Sequence, residues 1–192
     1  MNWLIMVSPA SKIFMFHKPK GVVVTRKDER GRRTVYDCLP PWALRDGWVP
    51  IGRLDRDSRG LLLFTQDGQI VECLTRPHGC PKTYEVWVRG RVTESHVALL
   101  KDGVVAQKDW LKALDVRLLG GAGPKSRVLV VLNEGKNRQL RRMFAQLKDP
   151  LHGTSLKVMD LKRIAIGSVK LDIPSGSWRF LTPAEIESII DS

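Results

Sequence analysis

Residues 52–68 read GRLDRDSRGLLLFTQDG. The apolar run from Leu61 to Thr65, followed by the turn pair Asp67-Gly68, is typical of a buried β-strand and its exit. Before that strand, Asp55 and Asp57 lie among three arginines: Arg53, Arg56 and Arg59. Such a cluster can be a solvated loop held by ion pairs. Alternatively, the arginines can keep the Asp55 carboxylate ionised, as a nucleophile requires, and attract phosphate. The residues alone leave both interpretations open.

Strand-like segments recur on both sides of this stretch. They cover residues 13–16, 84–92, 127–132, 157–161 and 165–171. Helical patterns follow Thr93 (with an expected end at Gly103), Asn137 and Thr182. The last of these has Pro183 and Glu185 in the positions that favour a helix start. Strands outnumber helices and mix with them irregularly, which predicts an α+β domain built around a mostly antiparallel sheet.

The segment that begins at Tyr84 alternates in residue type. Alternation places Tyr84 with Val86 and Val88 on one side of the strand, which we expect to face inward. A tyrosine in such a position is more often a core or rim residue than a catalytic one. The strand pattern alone therefore assigns Tyr84 no chemical role.

The helical pattern after Asn137 combines apolar and basic residues. Its apolar residues recur at helical spacing: Leu140, Met143, Phe144 and Leu147. This spacing places Arg138 and Arg142 on the opposite, solvent-facing side and Arg141 at the edge of the apolar side. The Arg141 guanidinium can then reach a carboxylate. Arg138 and Arg142 are suited to phosphate or structural contacts.

The charge of the chain indicates a polyanionic partner. Thirty-two Lys and Arg residues face 20 Asp and Glu residues, so the formal net charge is +12 and the pI is about 10.0. Nucleic acid is the first candidate and an anionic membrane surface the second. No apolar run approaches a membrane span of roughly 20 residues. Residues 1–10 show neither a secretory signal nor a basic amphipathic pattern, so we expect a cytoplasmic protein with no membrane partner.

The cysteines argue against a disulfide framework or a zinc site. Their number is three, at Cys38, Cys73 and Cys80. Cys73, His78 and Cys80 lie close in sequence, but their spacing fits no common zinc pattern and no fourth ligand stands nearby. No phosphate-binding glycine loop or dinucleotide fingerprint is present in the sequence. We therefore expect neither a metal nor a cofactor.

Residues 52–68 resemble motif II of the pseudouridine synthases, in the form carried by the RsuA-type branch that modifies ribosomal RNA. The resemblance rests on GRLD, on Ser58 with Gly60-Leu61-Leu62, and on Thr65 with Asp67-Gly68. Other stretches follow in the family's order. Residues 17–22 resemble motif I, Lys82-Thr83-Tyr84 resembles a K-x-Y element, and residues 134–143 resemble motif III. Residues 161–182 resemble the family's C-terminal portion, so the similarity runs from about Ile13 to the C-terminus.

The resemblance implies the pseudouridine synthase fold, with helices and loops flanking a mixed, mostly antiparallel central sheet and with a central RNA-binding cleft. It implies that Asp55 is the catalytic aspartate and that Tyr84 stacks on the target base and is the usual candidate for proton transfer. Arg141, at the edge of its helix, is the expected ion-pair partner of Asp55. Five further residues are expected to bind substrate: Lys18, Arg53, Lys82, Arg138 and Arg142.

The implied reaction breaks the bond between ribose C1′ and uracil N1, turns the base and rejoins it through C5. It needs no cofactor, metal or energy source. Attack of Asp55 on C1′, addition to C6 and removal of a C2′ proton are all compatible with the sequence. The target uridine must leave its stack. RNA rather than DNA is expected, through contacts to the 2′-hydroxyl groups and a shaped single-stranded or bulged target.

RsuA-type enzymes commonly carry an S4-like RNA-binding module before motif I. We expect a short form here, with a tail over residues 1–12 and a catalytic domain over 13–192. The leading expected partner is large-subunit ribosomal RNA, free or in a ribosomal precursor particle, ahead of small-subunit RNA and then transfer RNA. The expected state is a monomer. Two other classes compete: a non-catalytic RNA-binding or ribosome-assembly factor, and a basic DNA-binding protein. Loss of Asp55, Tyr84 or Arg141 would have favoured the former, and the GRLD stretch has no place in the latter.

Overall fold

The computed structural model describes residues 12–77, 79–122 and 124–191. Contacts group the chain into two compact units, Met1–Cys80 with Ala165–Ser192, and Pro81–Ile164. The tail expected over residues 1–12 lies outside the described residues except for residue 12, and so does His78 of the weighed zinc pattern. The single catalytic domain expected over 13–192 stays a prediction.

Within its described residues, the first unit contains six strands or strand ends and three helices. In chain order they are β1 (Ile13–Lys18), α1 (Trp42–Arg45), β2 (Val49–Pro50), β3 (Arg59–Thr65), α2 (Gly68–Thr75), the end of β9 (Lys157–Ile166), β10 (Val169–Lys170), β11 (Trp178–Phe180) and α5 (Pro183–Ile190). The second unit contains β4 (Lys82–Arg89), α3 (Glu94–Asp102), β5 (Val104–Ala106), β6 (Asp109–Leu111), β7 (Asp115–Ala122), β8 (Lys125–Leu132), α4 (Gln139–Ala145) and the rest of β9. A 3₁₀ turn covers Tyr36–Cys38.

Strand β1 is the centre of the first unit. It pairs antiparallel with β3 on one side and with β11 on the other. All six of its residues are buried, because both faces of the sheet are covered. On one face, Ile13 and Met15 pack with residues of α2 and α5. On the other face, Phe14 packs in an aromatic cluster that includes Trp48 and Phe64.

Two helix starts in this unit depend on side-chain caps. The Thr182 backbone N–H donates to the Glu185 carboxylate (2.8 Å), and the Glu185 N–H donates to the Thr182 hydroxyl (3.3 Å). This capping box confirms the predicted start of α5. The prediction of a simple turn at Asp67-Gly68 is wrong. Asp67 accepts a hydrogen bond from the Gln69 N–H (2.9 Å) and thereby caps α2.

In the second unit, β4 and β7 both pair antiparallel with β8, and β9 lies beside β4. Tyr84, Val86 and Val88 are buried, which confirms the predicted inward side of β4. Helix α3 follows Thr93 and ends before Gly103, as predicted. Helix α4 starts at Gln139, later than predicted, because Arg138 has a left-handed backbone (φ +48°) that cannot continue a helix upstream.

The predicted α+β class and mostly antiparallel pairing are confirmed. Among the described residues, no helix is long and apolar enough to cross a membrane.

Candidate active site

Asp55 lies in the loop that joins β2 to β3, and it is partly buried. The loop closes on itself, because the Ser58 N–H donates to the Asp55 carbonyl oxygen (3.0 Å). It is also tied to the turn after β1. The Gly21 N–H donates to the Arg56 carbonyl oxygen (2.8 Å), and Arg56 Nε donates back to the Gly21 carbonyl oxygen (3.3 Å). Gly21 has φ +85°, which favours glycine at this turn.

Lys18 supports the Asp55 loop from below. Its Nζ donates to the carbonyl oxygens of Ser58 (2.8 Å) and Pro19 (2.9 Å), and its side chain has no exposed surface. A buried ammonium is tolerated only where acceptors surround it. This placement corrects the expected substrate contact of Lys18. Strand β1 pairs with β3, and Lys18 stands opposite Gly60. The lysine is therefore buried against the backbone of the Asp55 loop and does not reach the surface.

Asp55 lines a cleft of about 440 Å³ whose walls are residues 53–56 and the loop of residues 23–32. The cleft includes five cationic side chains: Lys27, Arg30, Arg32, Arg53 and Arg56. It therefore combines the carboxylates of Asp28, Glu29 and Asp55 with a rim of these five cationic side chains. Arg53, predicted to bind substrate, is exposed on this rim. The loop of residues 23–32, which we call the basic loop, thus lines one cleft together with the predicted catalytic aspartate.

Asp28 organises the basic loop. Its carboxylate accepts hydrogen bonds from the backbone N–H groups of Arg30 (3.1 Å) and Arg32 (2.8 Å) and from the Arg32 guanidinium (2.6 Å). The hydrogen bond from the Arg32 side chain is the main reason that the pKa of Asp28 falls to about 2. Asp28 is therefore engaged in holding its own loop, whereas Asp55 is the cleft carboxylate that lies in the GRLD stretch. The contacts of Asp28 gave no sequence signal beyond its place in a charged loop.

Tyr84 and Lys82 occupy the start of β4 in the second unit. Tyr84 is paired with Val130 of β8 and is only 8% exposed. Lys82, two residues earlier, is paired with Leu132 and is partly buried. The two side chains therefore belong to one side of the strand.

The three arginines of α4 have different surroundings. Arg138 is exposed at the helix start. Arg141 donates to the Val158 carbonyl oxygen (3.1 Å). Arg142 donates to the Asp109 carboxylate and to the Ala106 carbonyl oxygen, and its side chain is only 14% exposed.

The predicted solvent face of Arg142 is therefore wrong. The hairpin of β5 and β6 binds its guanidinium, and helical periodicity cannot reveal a hairpin some 33 residues away. The hydrogen bond from Arg142 also lowers the pKa of Asp109. These contacts favour the structural role over substrate binding for Arg142.

A network that the sequence analysis missed shapes the loop before α4. Gln139 is 4% exposed, and its amide nitrogen donates to the Glu134 carboxylate (2.6 Å). Its amide oxygen accepts from the Lys136 backbone N–H (3.2 Å). The spacing of Glu134 and Gln139 in the EGKNRQ stretch was the available signal. This network positions the start of the helix that carries Arg141.

No group of three or more His, Cys, Asp or Glu side chains that could hold a metal occurs in the parts of the chain that the structure describes. Cys73 and Cys80 are buried. Asp55 belongs to the first unit, and Tyr84 and Arg141 belong to the second. The pairing of Asp55 with Arg141 stays a prediction.

Comparison with known proteins identifies the class to which this fold and cleft belong. A family model described as RNA pseudouridylate synthase matches residues 12–146. The chain belongs to that family.

Two curated relatives are ribosomal large subunit pseudouridine synthase B of Vibrio cholerae and of Pseudomonas aeruginosa. The first is 39% identical over 171 residues, which cover 87% of this chain and 50% of the relative. The second is 36% identical over 181 residues, which cover 92% of this chain and 45% of the relative. The chain thus spans about half the length of the curated relatives it matches. A crystal structure of a pseudouridylate synthase is 34% identical with a TM-score of 0.77, covering 93% of this chain and 74% of that one.

Proposed function

We propose that this chain isomerises a uridine of ribosomal RNA to pseudouridine, with large-subunit RNA as the target class. The observation that carries the proposal is the position of Asp55 in a cleft rimmed by cationic side chains. Such a rim suits a phosphate backbone, and the carboxylate suits chemistry on a nucleoside. The names of the two curated relatives support the choice of large-subunit RNA.

Asp55 acts as the carboxylate that initiates cleavage of the glycosidic bond. The bond from ribose C1′ to uracil N1 and the C5–H bond break, and a C1′–C5 bond and an N1–H bond form. The balance is that of an isomerisation, so no co-reactant is consumed. Tyr84 packs against the extruded base, Arg141 holds Asp55 ionised, and the cleft's arginines bind phosphates next to the target.

The form of the substrate, the location of the protein and its further RNA contacts are inferred from the charge of the chain and the proposed reaction. The net charge of +12 suits either free ribosomal RNA or a ribosomal precursor particle. For an enzyme that modifies ribosomal RNA we propose a cytoplasmic location and a monomeric state without a membrane partner. Arg53, Lys82 and Arg138 serve as RNA contacts around the reacting uridine.

Tritium release tests the proposal directly. Ribosomal RNA labelled at C5 of uridine loses its label when the new carbon link forms, so release reports the isomerisation. We expect release by the wild type and by the control Asp57→Asn, a change in the same loop, and none by Asp55→Asn. Wild-type turnover by Asp55→Asn would remove Asp55 from the mechanism. Absence of release from both free RNA and precursor particles would favour a non-catalytic RNA-binding factor.

A further inference from the structure

The hairpin of β5 and β6 exposes two large apolar side chains on one face. Val105 and Trp110 are directly paired across the two strands and are 61% and 59% exposed. The alternate residues Ala106 and Leu111 face the other way and are buried. Because contiguous exposed apolar side chains often mark binding surfaces, this face is a candidate binding surface.

The indole of Trp110 is held in a defined position. It lies directly against Gly103, the residue that ends α3. A Cβ atom at Gly103 would lie only 2.5 Å from Cε2 and 2.6 Å from Cζ2 of the indole. Gly103 also has φ +119°, a backbone that side chains rarely adopt. The part of the indole around Cε2 is therefore close to the Gly103 backbone, while more than half of the residue's surface stays exposed.

The hairpin is fastened to α4 and to the loop before it. Arg142 binds the Ala106 carbonyl oxygen and the Asp109 carboxylate, and Lys136 Nζ donates to the Trp110 carbonyl oxygen (3.0 Å). The two turn residues, Gln107 and Lys108, both have left-handed backbones (φ +53° and +72°), which suits a two-residue hairpin turn. Trp110 is therefore positioned before any ligand binds, which lowers the entropic cost of binding.

Exposed cationic side chains occur on the hairpin, directly after it and in the segment that leads into α4. Lys108, Lys112, Lys136 and Arg138 are all exposed. The hairpin tip and α4 also line a cleft of about 340 Å³ that includes Arg138. The hairpin's own acid, Asp109, is already bound to Arg142. A flat aromatic surface among cations matches a nucleobase with flanking phosphates better than it matches an apolar peptide.

We propose that the hairpin Val104–Leu111 is an RNA-binding arm. The exposed part of Trp110 stacks on a nucleobase outside the reacting uridine, while Lys112 and Arg138 bind adjacent phosphates. The inference rests on the proposed function, because it takes RNA as the substrate and assigns a second point of contact with it. The hairpin thereby contributes to substrate affinity apart from the chemistry at Asp55.

The test compares Trp110→Ala and Trp110→Phe with the control Leu151→Ala, which truncates an exposed apolar residue outside the hairpin. Binding of fluorescein-labelled oligouridylate and of transcribed large-subunit ribosomal RNA is measured over a range of salt concentrations. Trp110→Ala should weaken binding roughly 5- to 150-fold. The slope of affinity against salt should not change, because an indole neutralises no phosphate. Trp110→Phe should keep most of the affinity but lose the fluorescence quenching that stacking causes on Trp110.

A second variant, Gly103→Ala, displaces the indole while Trp110 stays in the sequence. It should weaken RNA binding in the same direction, with thermal unfolding measured in parallel to exclude loss of the fold. RNA binding by Trp110→Ala equal to that of Leu151→Ala would overturn the arm and favour a protein partner for this face. Equal quenching by RNA in wild type and Trp110→Phe would overturn it as well.

The experiments distinguish failure of the RNA-binding arm from failure of the proposed isomerase activity. Tritium release by the wild type, together with unchanged binding by Trp110→Ala, would leave the isomerase standing without the arm. Weakened binding by Trp110→Ala, with no release from RNA or particles by the wild type, would leave the arm standing on a non-catalytic RNA-binding protein.

Discussion

The ammonium of Lys18 donates a 2.8 Å hydrogen bond to the carbonyl oxygen of Ser58, three residues after Asp55. This contact joins the end of β1 to the loop that carries the candidate catalytic aspartate. The lysine of motif I therefore supports the position of the Asp55 loop and does not contact RNA, because it has no exposed surface. Placement of the carboxylate then depends on a strand distant in sequence.

Replacement of Lys18 should affect turnover more than RNA binding. Lys18→Met keeps the length of the side chain but leaves the Ser58 and Pro19 carbonyl oxygens without their donor. We expect a loss of about 1–3 kcal/mol of unfolding free energy. We also expect turnover to fall roughly 10- to 100-fold, because small displacements of a reacting group are costly. The control is Lys20→Met, an exposed lysine of the same turn. A lower salt slope in Lys18→Met would instead indicate a phosphate contact.

The predicted ion pair of Asp55 with Arg141 can be tested without substrate. Thermal or denaturant unfolding of Asp55→Asn, Arg141→Gln and the double variant forms a double-mutant cycle. Paired side chains should give a coupling free energy of about 1–3 kcal/mol. If the two effects add to within about 0.5 kcal/mol, the side chains are independent and Arg141 needs another role.

Arg138 and Arg142 should separate RNA binding from stability. Arg138→Ala should weaken RNA binding and lower the salt slope by about 1, as loss of one phosphate contact does.

Arg142→Ala should lower the unfolding free energy by about 2 kcal/mol, because the Ala106 carbonyl oxygen and Asp109 lose a charged donor. Unfolding and salt-dependent binding are measured for both. An unfolding midpoint of Arg142→Ala equal to wild type would contradict the structural assignment.

Stability at acidic pH should depend on Glu185. Hydrogen bonds from Arg179 are the main reason that its pKa falls from 4.5 to about 2. A carboxyl group with a lowered folded pKa stabilises the protein above its unfolded pKa, and this contribution disappears as pH falls. The loss should occur between about pH 4.5 and 2. Glu185→Gln should cost about 1 kcal/mol at neutral pH and flatten that part of the pH profile. Glu187→Gln, an exposed acid of the same helix, is the control, and a profile unchanged by Glu185→Gln would refute the assignment.

Local sequence patterns predicted several of the strands and helices that the structure shows. The apolar runs predicted β1 and β3, alternation predicted the buried side of β4, and Thr182 with Glu185 predicted the start of α5. These features succeeded because period and capping depend on residues within one turn or strand. The turn assigned to Asp67 failed for a related reason, since an aspartate followed by glycine serves equally in turns and in helix caps.

Sequence by itself determined the α+β class, the strands β1, β3, β4, β8 and β9, and the motif that singles out Asp55. Tertiary structure alone decided that Lys18 is buried beneath that loop, that Arg142 is bound by a hairpin, and that Trp110 lies close to Gly103 and stays more than half exposed. Lys18 and Arg142 contact residues 40 and 33 positions away, and Trp110 meets Gly103 across the connection from α3 to the hairpin, so no helical or strand period predicts these contacts. Such contacts arise from how strands pair and helices pack, and residue type alone does not encode which lysine, arginine or tryptophan they will enclose.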